Sequence, residues 1–461
     1  MLKVALINPA QATRYPQPPM GLALIAALLE KEGYPVTVVD DNALQLKPEE
    51  ITQLVKDADV VGLSATTPTI NIATGLAHRL RQAKPGLTII LGGPHPTLLP
   101  EATMRAAPDI DVVVRGEGEA TIIELLQSLE SKQPLDKIPG ISYRQNGKIA
   151  STKARPITLD LDSLPFLAYH LLPWQRYKPR PPRGRLSPFA ALLTSRGCPY
   201  RCNYCSKAIF GQKFRGQSPG RVVAEIAYLK QQFGIKEFAF YDDVFSLDQK
   251  RACAIADEIL KRGLRIDWTC ETRVNLVDRE LLSHLKQAGC YSIAYGIESG
   301  SQAIIDIINK EITLEQAEEA VRLSNEVGLQ TIGYFMIGNP GETPETIRQT
   351  IQFARKLKLD FVQFSVTIPY PGSKLYELYL DGSKVDDIPW ENFVYANLDR
   401  KTTPVFENSQ LSREALAYWL KRAYQEFYLR PGYIWQRIRK TTSLKDLKTG
   451  IKGLAMLLRN V

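Results

Sequence analysis

Two stretches of the chain alternate short, continuously apolar runs with longer segments in which apolar residues recur every three to four positions. The short runs predict strands that are buried on both faces, and the longer segments predict helices with one apolar face. In the first stretch the predicted strands are Leu2–Ile7, Val36–Asp40, Val60–Ser64, Thr88–Leu91 and Asp111–Val114. The clear helices of this stretch are Gly21–Glu32, Asn71–Lys84 and Glu119–Glu130. This alternation predicts an open, doubly wound parallel sheet.

The second stretch repeats the same alternation six times. Its predicted strands are Phe189–Thr194, Glu237–Tyr241, Ile266–Glu271, Tyr291–Gly296, Gln330–Ile337 and Phe361–Thr367. The helices predicted between them are Gly220–Phe233, Ser246–Arg262, Asp278–Ala288, Thr313–Val327 and Thr343–Lys356. Six β/α units predict a partial (β/α)6 barrel rather than a closed barrel of eight units.

The segment between the two stretches has a different pattern. Ile141–Ala150 places Asn146-Gly147 between two extended runs, which is a hairpin signal, and the proline- and arginine-rich Lys178–Arg185 predicts a linker. We therefore predict an α/β protein in four parts. They are a Rossmann-like domain at 1–135, a linker with a hairpin at 136–188, the partial barrel at 189–385 and a helical C-terminal region at 386–461.

Composition narrows the class of protein further. The net charge of +9 over 461 residues favours an anionic partner without identifying one. Six cysteines in this length do not form a disulfide scaffold. The N-terminus lacks a signal-peptide pattern, and no apolar run approaches the roughly 20 residues of a membrane span. We expect a cytoplasmic protein, with peripheral membrane contact as an open alternative.

Three of the six cysteines, Cys198, Cys202 and Cys205, fall within eight residues in the spacing CxxxCxxC. Thiolates select zinc, copper or iron–sulfur clusters. Structural zinc and most iron–sulfur clusters take four protein ligands, and no fourth cysteine or histidine lies nearby in sequence. Three cysteines on a [4Fe–4S] cluster would leave one iron open to a ligand, which metal catalysis requires. Zinc completed by a distant ligand and a coincidental grouping remain alternatives.

Polar residues follow each of the six predicted barrel strands, at the end where β/α barrels carry their active groups. One such cluster alone is more often a turn or a helix cap. Six in register predict a functional site at this edge. After the cysteines, the clusters are Tyr241-Asp242-Asp243, Glu271 with Arg273 and Asn275, Glu298-Ser299-Gly300, Gly338–Glu342 and Pro369–Gly372.

CxxxCxxC directly after a strand that opens six β/α units resembles the radical S-adenosylmethionine enzymes. The resemblance implies that the three cysteines hold a [4Fe–4S] cluster whose open iron binds S-adenosylmethionine. Cleavage of that molecule by an electron from the cluster would give methionine and a 5′-deoxyadenosyl radical. The residues that the resemblance places at S-adenosylmethionine are Tyr204, Asp242, Asp243, Arg273, Glu298, Ser299, Gly338 and Asn339.

This chain departs from the family at one of these positions. Many members have Gly-Gly-Glu where this sequence has Tyr241-Asp242-Asp243, so either aspartate would hold the amino group instead. Arg273 is the candidate for the methionyl carboxylate, because a guanidinium matches a carboxylate through two hydrogen bonds. An ion pair of Arg273 with Glu271 or Asp267 is the alternative. For Tyr204, core packing explains the aromatic ring equally well.

In the front domain, ligands of an open parallel sheet bind at the carboxyl ends of the strands. No GxGxxG follows the first strand, which argues against a nicotinamide or flavin dinucleotide. "LGGPHPTLLPE" followed by "VVRGEGEAT" resembles instead the cobalamin-binding domain that precedes the radical domain in one large subgroup. The contacts that this resemblance implies are Ser64, Thr66, Thr67, Gly92, Gly93, His95, Gly116, Glu117 and Gly118.

The DxHxxG box of many cobalamin proteins, whose histidine binds cobalt from below, is absent. His95 lies in a different context and is a candidate cobalt ligand. An open or water-bound lower face, as in many members of the subgroup, is the favoured alternative. A sheet domain that has lost its ligand is another.

These resemblances imply a cobalamin-dependent radical S-adenosylmethionine enzyme. The favoured reaction is methylation of an unactivated carbon of a small-molecule or lipid-like substrate, through a 5′-deoxyadenosyl radical and methylcobalamin. One alternative is a radical oxidative cyclase or ring-remodelling enzyme of the type that acts on magnesium porphyrins. The non-enzymatic alternative is a cobalamin- or zinc-binding regulatory module. We expect a flavodoxin or ferredoxin, with its reductase, as electron donor, and no nucleic-acid partner. The sequence assigns neither the substrate nor a catalytic residue.

The C-terminal region is basic and aromatic. Tyr418–Arg439 mixes tryptophans, tyrosines and phenylalanine with lysines and arginines, and Ile451–Leu458 adds an apolar face. Helices of this kind can lie on anionic membranes or cover a lipid-like substrate. They can also pack on the barrel with a solvated basic face, which is the interpretation we favour.

Overall fold

A computed structural model of the chain describes residues 1–11, 13, 15–380, 389–394, 406–408 and 410–440, and of residues 379, 380, 436 and 438–440 it describes the backbone alone. The chain divides into two compact units. The first unit comprises Met1–Pro199, Ser206–Cys270 and Pro389–Glu391, and the second comprises Tyr200–Cys205, Glu271–Ile388 and Asn392–Val461. The predicted apolar face at Ile451–Leu458 lies outside the described residues, and the four predicted domain limits stay predictions.

The first unit opens with a seven-stranded sheet in the order β2-β1-β3-β4-β5-β6-β7. Its strands are β1 (Val4–Asn8), β2 (Val36–Asp40), β3 (Val60–Ser64), β4 (Thr88–Gly92), β5 (Val112–Val114), β6 (Ile141–Gln145) and β7 (Lys148–Ser151). The first five pair in parallel, as predicted. The hairpin prediction is confirmed too, because β6 and β7 pair antiparallel around Asn146-Gly147, both of which have positive φ.

Helices cover both faces of this sheet, and each face has its own apolar core. The helices are α1 (Met20–Lys31), α2 (Asp41–Leu44), α3 (Pro48–Leu54), α4 (Ile70–Ala83), α5 (Pro94–Leu98), α6 (Pro100–Ala106) and α7 (Glu119–Glu130). The sequence pattern predicts no helix between β4 and α7, whereas the structure has α5, which begins at Pro94, and α6. Proline suits the first position of a helix, where its missing N–H has no partner to lose. Helices of four to seven residues are too short to show an apolar period.

The first unit also holds the opening β/α units of the second stretch. Its further elements are β8 (Phe189–Leu192), β9 (Ser195–Arg196), β10 (Arg215–Gly216), α8 (Pro219–Phe233), β11 (Glu237–Phe240), α9 (Gln249–Lys261) and the first four residues of β12 (Asp267–Thr272). β8, β11 and β12 pair in parallel, with Glu237 opposite both Phe189 and Asp267. The predicted strand Phe189–Thr194 ends early, at Leu192. The next two-residue strand, β9, pairs antiparallel with β10 instead.

The second unit contains the remaining β/α repeats. Its strands are β13 (Cys290–Glu298), β14 (Gln330–Ile337) and β15 (Phe361–Val366), which pair in parallel in this order. Its helices are α10 (Arg279–Gln287), α11 (Gln302–Ile307), α12 (Leu314–Glu326), α13 (Pro344–Lys356), α14 (Lys374–Leu380), α15 (Arg413–Tyr428) and α16 (Pro431–Lys440). All six strands predicted for the second stretch are therefore present, each followed by helical structure.

The C-terminal helix α15 packs on strand β15, in agreement with the favoured interpretation of the basic tail. Its Tyr424 and Tyr428 hydroxyls each accept a hydrogen bond from a β15 N–H and donate one to a β15 carbonyl, at 2.8–3.1 Å. Since an exposed strand edge invites pairing with other chains, these tyrosines protect β15. None of the helices among the described residues has the length and apolar character that crossing a membrane requires.

Candidate cofactor sites

A cavity of about 410 Å3 lies in the first unit, at the carboxyl ends of the parallel strands. Its walls include the C-terminal residues of β3 and residues from the loops that follow β1, β4 and β5. Of the predicted cobalamin contacts it is lined by Ser64, Gly92, Gly93, Gly116, Glu117 and Gly118. This cavity therefore lies at the predicted sheet edge.

Two glycines explain why the backbone can lie so close to this space. A Cβ on Gly93, which has φ 103°, would come within 2.6 Å of the Ala65 carbonyl oxygen, so no other residue fits there. A Cβ on Gly116, which has φ 73°, would meet no atom within 4 Å. The backbone around Gly116 thus leaves room that a side chain would fill.

His95, Thr66 and Thr67 are not among the residues that line this cavity. The His95 ring is buried, with Nδ1 3.3 Å from the Thr67 hydroxyl and its centroid 4.9 Å from that of Trp390. Burial lowers the pKa of His95 to about 4, so the imidazole is neutral at pH 7. The structure thus separates these three residues from the other six predicted contacts.

A closed network of buried charges forms one wall of the cavity. Glu117 Oε1 accepts hydrogen bonds from Arg196 at 3.1 Å and Arg215 at 2.7 Å, while Arg196 also pairs with Glu119 Oε1 at 2.7 Å. Glu117 Oε2 accepts the backbone N–H of Thr158 at 2.7 Å. The two arginines, which sequence reasoning missed, come from the paired strands β9 and β10. Two carboxylates and two guanidinium groups therefore balance each other.

Asp242 and Asp243 follow β11 and have different surroundings. Both carboxylate oxygens of the buried Asp242 are occupied: Thr194 donates its N–H and hydroxyl, each at 2.6 Å, and Ser195 donates its hydroxyl at 2.7 Å. Desolvation raises the pKa of Asp242. Asp243 is exposed and accepts the Gly197 N–H through one oxygen at 3.0 Å. Of the two predicted contacts, only Asp243 presents a carboxylate to solvent.

The cysteine motif is divided between the two units, and each part is anchored locally. In the first unit, the Cys198 carbonyl accepts a hydrogen bond from Lys207 Nζ at 2.7 Å. In the second unit, Asn203 donates its backbone N–H to Ile308 and its side-chain amide to Ile307, which fixes the turn that carries Cys202. The described part of the chain holds no group of three or more His, Cys, Asp or Glu side chains arranged for a single metal ion.

Tyr204 belongs to a buried polar triad in the second unit. Its hydroxyl donates to Glu298 Oε1 at 3.1 Å and accepts from Lys310 Nζ at 3.0 Å, and Lys310 pairs with the same oxygen of Glu298 at 2.8 Å. Glu298 lies at a bulge in the pairing of β13 with β14 and has φ 72°, a strained value for a residue with a side chain. No pattern in the sequence predicted that Lys310, twelve positions after Glu298, would belong to this site.

Arg273 forms neither of the ion pairs offered as its alternative role. Asp267 pairs instead with Arg185 at 2.7 Å, and the Tyr334 hydroxyl donates to Glu271 at 3.4 Å. The guanidinium lies with its centre 3.5 Å from the ring centroid of Tyr200. Its Nη1 is 3.7 Å from Cys202 Sγ, which places this cation beside a cysteine of the motif.

The loop after β14 is held by the protein itself. The buried Glu342 carboxylate accepts the backbone N–H groups of Gly338 and Asn339 through Oε2, while Oε1 is buried without a hydrogen-bond partner among the described residues. Desolvation raises the pKa of Glu342 to about 7. Asn408 donates its amide to the Asn339 carbonyl at 2.9 Å. The buried Ser299 hydroxyl lies 3.0 Å from that of Thr350, so Ser299 serves packing here.

Comparison with known proteins identifies two domains in the chain. The family model for the B12 binding domain matches residues 10–126, and that for the radical SAM superfamily matches residues 192–354. An uncharacterized methyltransferase of Pyrococcus horikoshii is 39% identical over 440 residues, which cover 95% of this chain and 93% of the relative. The anaerobic magnesium-protoporphyrin IX monomethyl ester cyclase of Rubrivivax gelatinosus is 30% identical over 426 residues, 90% of this chain and 75% of the cyclase.

A solved structure shares the fold at low sequence identity. The radical S-adenosylmethionine methyltransferase TsrM of Kitasatospora setae, with cobalamin and a [4Fe–4S] cluster bound, superposes with a TM-score of 0.69 at 21% identity. The match covers 81% of this chain and 74% of TsrM. The predicted α/β architecture is thereby confirmed. The two matched domains and the similarity over nearly the whole chain show that the protein belongs to the cobalamin-binding radical S-adenosylmethionine enzymes.

Proposed function

We propose that this enzyme is a methyltransferase that acts on an unactivated carbon of a small-molecule or lipid-like substrate. The observation that carries the proposal is the cavity in the first unit, because six predicted cobalamin contacts line it. The relative in Pyrococcus horikoshii, named as a methyltransferase, supports the same reaction. When bound, cobalamin would supply the methyl group, and S-adenosylmethionine with the [4Fe–4S] cluster would supply the radical.

The residues present fit these groups. Three cysteines and no neighbouring fourth ligand suit a cluster with one open iron. Room beside Gly116 and a mostly apolar wall suit the edge of a large, flat cofactor. The Glu117–Arg196–Arg215 network would keep that wall rigid. We assign no lower cobalt ligand to His95, since its ring is buried against Thr67 and Trp390.

For S-adenosylmethionine we propose separate tasks for the predicted contacts. The exposed Asp243 would accept the amino group, whereas the fully engaged Asp242 holds the strand end before the cysteines. Glu298, oriented by Lys310, would accept the ribose hydroxyls. Backbone groups at Gly338 and Asn339 would face the adenine, in a loop that Glu342 holds.

Anaerobic reconstitution of the full chain with iron, sulfide and cobalamin tests the proposal. We expect about four irons per chain, bound cobalamin, and transfer of label from methyl-labelled S-adenosylmethionine to the bound cobalamin. Cys202→Ala should abolish formation of 5′-deoxyadenosine after reduction. Cys253→Ala, on helix α9 and outside the motif, is the matched control and should keep it. Tight zinc binding without iron, or full cleavage by Cys202→Ala, would refute the proposal.

The second candidate is a radical oxidative cyclase that acts on a porphyrin-like substrate. The similarity to the Rubrivivax gelatinosus cyclase, 30% over most of the chain, favours it. Such an enzyme would form 5′-deoxyadenosine without passing the labelled methyl group to cobalamin or to product. The labelling experiment therefore separates the two reactions in a single preparation.

The electron donor in our proposal is a flavodoxin or ferredoxin with its reductase. The net charge of +9 favours association with donors of acidic surface. The reduction rate should then fall as ionic strength rises, whereas reduction by a small neutral reagent should not.

A further inference from the structure

Arg273 is a buried cation without a carboxylate partner in the described part of the chain. Its side chain is in the second unit, and only 4% of the residue is exposed. Among the described residues, it forms no ion pair with aspartate or glutamate. A guanidinium stays charged at any physiological pH, so burying it without an anion is costly. The surroundings of Arg273 therefore call for a negative group.

Four contacts hold the guanidinium in one orientation. Nε donates to Asn275 Oδ1 at 3.2 Å, and Nη2 donates to the carbonyls of Lys310 and Glu311. Tyr200 stacks against the guanidinium plane. With these positions taken, Nη1 is the nitrogen directed at Cys202 Sγ, at 3.7 Å, an ordinary length for an N–H···S hydrogen bond.

We propose that Arg273 is a positioning residue of the iron–sulfur cluster that raises its reduction potential through Cys202. This rests on the proposed function, in which Cys202 ligates the cluster. One-electron reduction adds negative charge to the cluster and its thiolates, and a fixed cation that donates a hydrogen bond to one of those sulfurs stabilises the reduced state more than the oxidised one. The electron comes from the flavodoxin or ferredoxin, and no proton is transferred.

This role differs from the methionyl-carboxylate contact that the family resemblance implies. A carboxylate ligand is best met by two parallel N–H donors. In Arg273, backbone carbonyls already occupy Nη2, and Nη1 is directed at sulfur. Loss of Arg273 should therefore change the reduction potential of the cluster more than it changes the affinity for S-adenosylmethionine.

Redox titration of the reconstituted full chain, followed by electron paramagnetic resonance of the reduced cluster, tests the proposal. Arg273→Gln should shift the midpoint potential to more negative values, and Arg273→Lys, which keeps the charge, should shift it less. Arg322→Gln is the matched control, because it removes the charge of an arginine about half exposed on α12. Its potential should equal that of the wild type.

Two results would overturn the assignment. The first is an unchanged potential in Arg273→Gln at full iron content; if S-adenosylmethionine binding is weakened at the same time, Arg273 returns to the methionyl carboxylate. If Arg273→Gln loses its iron, the second is a potential in Arg273→Lys that is higher than that of the wild type. Wild-type protein that takes up no iron would refute the proposed function itself.

Discussion

The two units neutralise buried charge in different ways. In the first unit, Glu117 and Glu119 meet Arg196 and Arg215 in a closed network whose contacts are 2.7–3.1 Å long. In the second unit, Lys310 balances Glu298, and Arg273 lies beside Cys202 and forms no ion pair with any carboxylate that the structure describes. The first network has equal numbers of carboxylates and guanidinium groups, although Glu119 Oε2 is buried without a hydrogen-bond partner among the described residues. The other carries an excess of positive charge.

This difference distinguishes charged groups that stabilise the fold from charged groups that a bound ligand would neutralise. A balanced buried network needs nothing further, so its proximity to a cavity indicates a rigid wall. An unbalanced one indicates that an anionic group completes it. Glu342 gives a third case: its carboxyl accepts two backbone N–H groups, it pairs with no cation among the described residues, and desolvation raises its pKa to about 7. This carboxyl is neutralised by a proton, whereas Glu117, Glu119 and Glu298 are neutralised by arginine or lysine side chains.

The largest expected effect comes from breaking the closed network. Arg215→Met keeps much of the side-chain volume but removes one of the two cations on Glu117, whose side chain is only 4% exposed. Since this leaves a buried carboxylate undercompensated, the free energy of unfolding should fall by about 3–5 kcal/mol. Urea denaturation of the full chain, followed by circular dichroism, measures the change.

Arg105→Met is the matched control for that substitution. Arg105 pairs with Glu101 on α6, and its side chain is 70% exposed. An exposed pair contributes about 0–1 kcal/mol, so this variant should resemble the wild type. Equal stability of Arg215→Met and wild type would show that the network is not needed by the fold, and the contrast between the two units would lose its basis.

The members of these networks mark the limit of what the sequence could predict. Continuous apolar runs predicted the parallel strands, and Asn146-Gly147 predicted the hairpin, because those signals are local. Arg196 and Arg215 meet through two-residue strands, which are too short for any period to reveal. Lys310 reaches Glu298 through tertiary packing, and Trp390 reaches His95 across 295 positions. Such contacts depend on the whole fold.

A smaller, pH-dependent effect should distinguish Glu342 from the carboxylates that pair with cations. In the unfolded chain this carboxyl loses its proton near its ordinary pKa of 4.5, whereas the folded protein keeps the proton up to about pH 7. The folded state therefore binds more protons between these values, and its stability falls as pH rises through that window. The contribution of Glu342 to this fall is about 3 kcal/mol.

Glu342→Gln should remove that contribution. Glutamine keeps an oxygen for the Gly338 and Asn339 N–H groups and cannot ionise. Unfolding free energies measured from pH 4.5 to pH 7 should therefore decline less steeply in this variant than in the wild type. Glu345→Gln, an exposed change three positions further along the chain in the first turn of α13, is the control and should leave the slope as it is. Identical slopes for Glu342→Gln and wild type would show that Glu342 is ionised in the folded protein.

The smallest expected effect tests whether the second network depends on its tyrosine. Tyr204→Phe removes the hydroxyl that bridges Glu298 and Lys310 but keeps both the ring, which packs against Ile304, Ile308 and Met336, and the ion pair. The unfolding free energy should fall by about 1 kcal/mol, the net worth of a buried hydrogen bond. Tyr418→Phe is the control: it removes the hydroxyl of a tyrosine that is 53% exposed, and it should leave the unfolding free energy unchanged. A loss of unfolding free energy in Tyr204→Phe as large as that in Arg215→Met would mean that Glu298 depends on the tyrosine hydroxyl more than on Lys310.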